Sequence, residues 1–102
     1  MKRILSTSAL LALILAVPAF SQSAADIYKS KCAGCHGADG KGNTPVAKNL
    51  GVRDFSSPEV KKETDAELIT ITQKGKNKMP GYAGKLTDEQ IKAQIAYIRA
   101  LK

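Results

Sequence analysis

The chain holds two cysteines and one histidine, and all three fall inside a single five-residue window, Cys32-Ala33-Gly34-Cys35-His36. Thiols three residues apart on one helical turn project from the same side, where each can add across one vinyl group of a porphyrin. The histidine that follows the second thiol is held where its imidazole can stand beneath the metal, and neutral imidazole is a strong ligand for haem iron. The spacing therefore predicts covalent attachment of one haem through Cys32 and Cys35, with His36 as an axial ligand.

Other uses of these residues are less well served. A thioredoxin-like dithiol needs a βαβ framework and has no need of His36. A zinc site would have two thiolates and one imidazole and would still need a carboxylate to close, with no second ligand cluster elsewhere in the chain.

The amino terminus carries export information. Lys2 and Arg3 form a positive start, Leu10 to Val17 form a continuous apolar run, and small residues from Ala19 to Ala25 offer cleavage sites. Both Ala19-Phe20-Ser21 and Ser21-Gln22-Ser23 put small residues at the two required positions. The apolar run spans about ten residues, short of the roughly 20 that a membrane-spanning helix needs. Residues 1–23 are accordingly read as a secretory signal peptide with an approximate cleavage point. Residues 24–102 remain as one exported, periplasmic domain with no stable membrane insertion.

A domain this short struggles to bury enough apolar surface without a staple. The chain has three tyrosines, two phenylalanines and no tryptophan, so the macrocycle is expected to supply the missing core and the apoprotein to fold poorly.

Lysine and arginine number 16 against 9 acidic residues. Two of those cations lie in the leader, and the remainder still outweighs the acids. The surplus predicts attraction to acidic partners. Dispersed lysines without an arginine-rich run or interleaved aromatics argue against nucleic acid.

Helix signals recur along the domain. Ala24, Tyr28 and Cys32 fall at intervals of four, with Gly34 and Gly37 weakening the end of that helix. The glycine-rich stretch from His36 to Asn49 predicts a loop around the cofactor. Ser57-Pro58-Glu59 starts a short helical turn. Thr64-Asp65-Ala66-Glu67 is a capping box ahead of Leu68, Ile71 and Thr72, and Gly75 closes that helix. Ile69-Thr70-Ile71-Thr72 also alternates with period two, yet the box in front and Lys74-Gly75 behind decide for helix. Thr87-Asp88-Glu89-Gln90 is a second box, opening a helix striped by Ile91, Ile95, Ile98 and Leu101. Three to four helices and no strand predict an all-α domain, with the last helix packed on the first through Tyr28 and Tyr97.

Beyond the leader there is a single methionine, Met79, in the polar loop Lys76-Asn77-Lys78-Met79-Pro80-Gly81-Tyr82. An apolar side chain has no packing reason to be in such a loop, and Pro80 stiffens the backbone around it. Met79 is the candidate for the sixth iron position. Histidine plus methionine saturates the iron and raises its reduction potential, which leaves one-electron exchange rather than peroxide or oxygen chemistry.

From residue 24 onward the chain resembles the class I c-type cytochromes, in particular the small monomeric bacterial carriers. The resemblance lies in Ala24-x3-Tyr28-x3-Cys32, Cys32-Ala33-Gly34-Cys35-His36-Gly37, Met79-Pro80 and Ile91-x5-Tyr97-Ile98-Arg99. It implies the cytochrome c fold, with the helices wrapped around one haem c. It also implies thioethers at Cys32 and Cys35, axial ligands His36 and Met79, and a proline carbonyl, for which Pro45 is the candidate, accepting the other imidazole proton. Lysines around an exposed haem edge would guide redox proteins with acidic docking surfaces, and Lys74, Lys76 and Lys78 are the foremost candidates. The expected function is a periplasmic electron carrier. Its rivals are a dedicated haem c subunit that accepts electrons for a larger periplasmic oxidoreductase, and a peroxidase-like haem enzyme, which would need Met79 to be displaceable.

Overall fold

A computed structural model describes residues 23–101; the signal-peptide reading of residues 1–23 falls, but for Ser23, outside them. The described residues form helices joined by turns, with isolated two-residue bridges and no sheet. The first helix, α1, runs through three successive segments: α-helical Ala24–Ile27, a π-helical turn Tyr28–Cys32, and α-helical Ala33–His36. It is followed by α2 (Pro45–Leu50), α3 (Pro58–Lys62), α4 (Asp65–Lys74) and α5 (Asp88–Ala100).

Capping explains most of these boundaries. Both expected boxes form, with Thr64 accepting from Glu67 N and Thr87 from Gln90 N, while the Glu67 and Gln90 side chains bond back to the cap residues. Such reciprocal bonds satisfy two donors that a helix start leaves orphaned. Ser57 caps α3 ahead of Pro58.

One expectation fails here. The stretch from His36 to Asn49 is not all loop, because Pro45–Leu50 is helical. Thr44 caps it by accepting from Ala47 N, Pro45 takes the first helical position, and Gly51 ends it in a left-handed conformation (φ 67°). The signal was present in Thr44-Pro45, the same cap-then-proline pair as Ser57-Pro58, but the surrounding glycines masked it.

Helices α1 and α5 pack together as expected. Tyr28 and Tyr97 pack with ring centroids 5.1 Å apart and planes tilted by 43°, and Gln94 Nε2 donates to the Ala24 carbonyl at 2.8 Å. Ile27, Leu86 and Ile91 form one buried cluster; Val60, Leu68 and Ile95 form another, with Phe55, Ile71 and Ile98 against it. Fully burying an isoleucine such as Ile27 or Ile91 stabilises the fold by about 1.5–3 kcal/mol. The two clusters stay small, however, because much of the interior is a cavity.

Candidate haem site

Two segments far apart in sequence build that cavity, which has a volume of about 360 Å³ and falls in the range of cofactor sites. Cys32, Cys35 and His36 reach it from α1, and Met79 reaches it from the loop after α4. The apolar wall comes from both core clusters, with Leu86 from one and Val60, Leu68 and Ile95 from the other.

On the α1 side the backbone departs from a regular helix. The π-helical turn ends at Cys32, where Ala33 N bonds to the Tyr28 carbonyl; such insertions frequently mark functional positions. Tyr28 is buried, and its hydroxyl donates to the carbonyl of Gly37, the residue that ends α1 in a positive-φ conformation (84°). One aromatic side chain thus ties the middle of the helix to the turn just past His36. Burial, above all, raises the Tyr28 phenol to about 12.

The His36 ring stacks on Phe55, centroids 4.6 Å apart. Burial, with the Arg53 guanidinium second, holds its imidazole below the ordinary range, which favours the neutral form that ligates metals. The expected bond from His36 to the Pro45 carbonyl is not made. Pro45 is instead the first residue of α2, and His36 Nδ1 is buried with no hydrogen-bond partner among the described residues. Thr44 makes the tie between this loop and the cysteine segment, donating to the Cys35 carbonyl at 3.1 Å.

Burial also raises the Cys32 thiol, with Cys35 adding to the shift and Lys31 opposing it. A reactive dithiol pair needs the opposite direction.

Backbone contacts build the Met79 side. Lys76 and Met79 exchange two backbone hydrogen bonds of 3.2 and 3.0 Å around Asn77, which has positive φ (54°). Tyr82 N and Ala83 N bond to the carbonyls of Thr72 and Gln73 in the last turns of α4. Gly75 and Gly81 permit this close folding: a Cβ on Gly75 would meet Met79 O at 2.5 Å, and one on Gly81 would meet Gln73 O at 2.7 Å. Met79 is left half-buried.

Sequence reasoning missed several wall residues. Tyr82 lines the cavity, donates its hydroxyl to the Lys31 carbonyl at 3.1 Å and carries Lys85 above its ring. Arg53, paired with Glu63, and Gln94 also line it. Of the three lysines singled out, Lys76 and Lys78 are exposed residues that also line the cavity, whereas Lys74 lies in the last turn of α4 away from the lining.

The residues present fit a haem. Apolar walls suit the macrocycle, two thiols stand beside an imidazole with an unpartnered buried nitrogen, and a thioether enters from another segment.

Comparison with known proteins agrees. Residues 19–98 match the family described as cytochrome c oxidase, cbb3-type, subunit III. Cytochrome c6 of Parathermosynechococcus lividus is 36% identical over 74 residues, covering 72% of this chain and 82% of that protein. The chain belongs to the c-type cytochromes.

Among solved structures, the KustC0563 c-type cytochrome superposes on this cytochrome with a TM-score of 0.72 at 31% identity, covering 79% of this chain and 99% of the other. Cytochrome c6 from the diatom Phaeodactylum tricornutum gives a TM-score of 0.55 at 32% identity, with 76% and 88% covered. The cytochrome has the all-α cytochrome c fold and is a haem c electron-transfer protein, not an enzyme. Among its described residues, no helix is long and apolar enough to cross a membrane.

Proposed function

We propose that this cytochrome is an exported, periplasmic shuttle for single electrons. One haem c would be held by thioethers at Cys32 and Cys35, with His36 and Met79 as axial ligands. The observation that carries this reading is the convergence of those four side chains on one apolar cavity from segments more than forty residues apart. When bound, the group supplies reversible one-electron exchange at iron. The protein's residues exclude water from it, hold the imidazole neutral, and fill the sixth position so that exogenous ligands are kept off.

The export reading gains a detail from the first helix. Ser23 Oγ accepts from Asp26 N, so Ser23 caps α1. Cleavage after Ser21 retains the cap and cleavage after Ser23 removes it, and loss of a serine cap costs about 1 kcal/mol. We therefore favour the cut after Ser21.

Lys31, Lys76 and Lys78 edge the cavity, which supports encounter with acidic redox partners at this face. Electron-exchange rates with such a partner should fall as salt rises, because the screening length is already about 10 Å at 0.1 M ionic strength. The test of the whole reading is the purified protein's spectrum. A methionine-sulfur charge-transfer band in the ferric state and no carbon monoxide binding at neutral pH are expected; ready carbon monoxide binding would overturn it.

The matched family's description as an oxidase subunit favours one second reading, a dedicated subunit that passes electrons to a larger complex. A stoichiometric complex that survives purification at high salt would select that reading over the free shuttle.

A further inference from the structure

Gln94 is the one buried amide or charged side chain among the described residues, 3% exposed in the middle of α5. Its orientation is determinate. Nε2 donates to the Ala24 carbonyl at 2.8 Å, and a carbonyl can only accept, so the amide cannot be reversed without losing that bond. The other end of the amide, Oε1, is buried with no partner. The same residue lines the cavity, next to Ile95.

A buried carbonyl oxygen without a donor is normally costly. An apolar residue at position 94 would fill the same wall without that cost. The helix contact does not require glutamine either, since Tyr28 on Tyr97 and Ile27 on Ile91 already join α1 to α5. An uncompensated negative dipole end therefore persists, buried, in a residue that lines a site where charge changes.

We propose that Gln94 is a positioning residue for redox poise: its unpartnered Oε1, buried behind the lining of the cavity, stabilises the ferric over the ferrous state and so holds the reduction potential below what an apolar residue would give. The inference rests on the proposed haem in this cavity. Ferric iron carries one more positive charge than ferrous, so the negative end of a fixed carbonyl dipole favours the oxidised form. Low local polarity strengthens that preference relative to water. Hydrogen bonding and burial around the group are among the levers by which a protein sets such a potential.

The test is redox titration of the exported, haem-loaded protein with Gln94→Met and Gln94→Leu, both apolar and close in length or volume to glutamine. The ferric/ferrous equilibrium is expected to shift about threefold to tenfold toward ferrous, a tenfold shift being 59 mV upward for a one-electron couple. The methionine-sulfur band should persist, which excludes ligand loss as the cause.

If Gln94 only pins α1 to α5, both variants lose stability at unchanged potential, and that result overturns the proposal, as would a fall in potential. Should neither variant mature, the unmodified protein still decides. The Gln94 side-chain amide protons are expected to be protected from exchange and to shift between the ferric and ferrous states; rapidly exchanging, redox-insensitive protons would overturn the proposal. Failure of the underlying reading looks different, since the unmodified protein would then carry no covalent haem at all.

Discussion

The two sides of the cavity are made in different ways. On the cysteine side, residues 24–37, side chains do the holding. Tyr28 anchors the turn past His36, Phe55 stacks on the imidazole, Thr44 ties down the Cys35 carbonyl, and both cysteines line the cavity. On the methionine side, residues 75–83, the backbone does most of the holding, through paired carbonyl and amide bonds and glycines that admit close approach. The first side is therefore predicted to survive loss of a single contact. The second depends on chain geometry, so the Met79 loop should be the first part of the site to open.

The largest effect should come from breaking the cysteine side outright. Replacing both thiols, Cys32→Ser with Cys35→Ser, is expected to yield protein without haem. Without the macrocycle, the apolar residues that line the cavity, Val60, Leu68, Leu86 and Ile95 among them, lose their packing partner, and a domain this small has little other core to hold it, so circular dichroism should report a largely unfolded chain.

Breaking the methionine side is predicted to spare the fold and change the chemistry. Met79→Ala should open the sixth position, admit carbon monoxide and lower the midpoint potential by a sizeable part of the roughly 0.8 V that axial ligands span. A potential unchanged by this substitution would mean that another group ligates the iron.

Glycine substitutions sharpen the contrast between the two sides. In Gly81→Ala the new methyl meets backbone at 2.7–2.9 Å, and overpacking of that kind costs typically about 1–3 kcal/mol. The sulfur band should weaken or shift well before global unfolding. In Gly34→Ala nothing lies within 4 Å of the new methyl and the position is helical, so stability should rise by about 0.5–1 kcal/mol. Equal effects at the two positions would erase the distinction drawn here.

The smallest effects concern titration. The Tyr28 phenol is raised from 10 to about 12 in the folded protein. Its contribution to stability is therefore complete below pH 10 and is lost as pH climbs toward 12. Glu63 behaves oppositely: its hydrogen bond to Arg53 holds the carboxylate below its usual range, so this contribution is present at neutral pH and disappears as acid protonates it. Denaturation midpoints across pH should show both edges, and Tyr28→Phe should shrink the alkaline edge, the remainder coming from the Tyr82 phenol that burial also raises.

Local signals in the sequence were legible where the physics is local. The boxes at Thr64 and Thr87 state where α4 and α5 begin, because a capping bond joins residues three apart. They also settle the ambiguous Ile69-Thr70-Ile71-Thr72 stretch as helix. Cys32, Cys35, His36 and Met79 stood out by chemistry and scarcity, and the structure brings them to one cavity.

Contacts set by tertiary packing were not legible. Nothing in the sequence near Phe55, Tyr82 or Gln94 says that each faces the same cavity, since their neighbours arrive from far along the chain. Pro45 illustrates the opposite error. Its expected role came from resemblance alone, whereas its local signal, a proline directly after Thr44, belonged to a helix start.

The most direct test of the central claim is intact and peptide-level mass spectrometry of the exported protein, made with haem-attachment machinery present. The account predicts the mass of one tetrapyrrole on the peptide spanning Cys32 to His36, bound through both sulfurs, with an amino terminus at Gln22. A chain of unmodified mass with both thiols free to alkylate would contradict it.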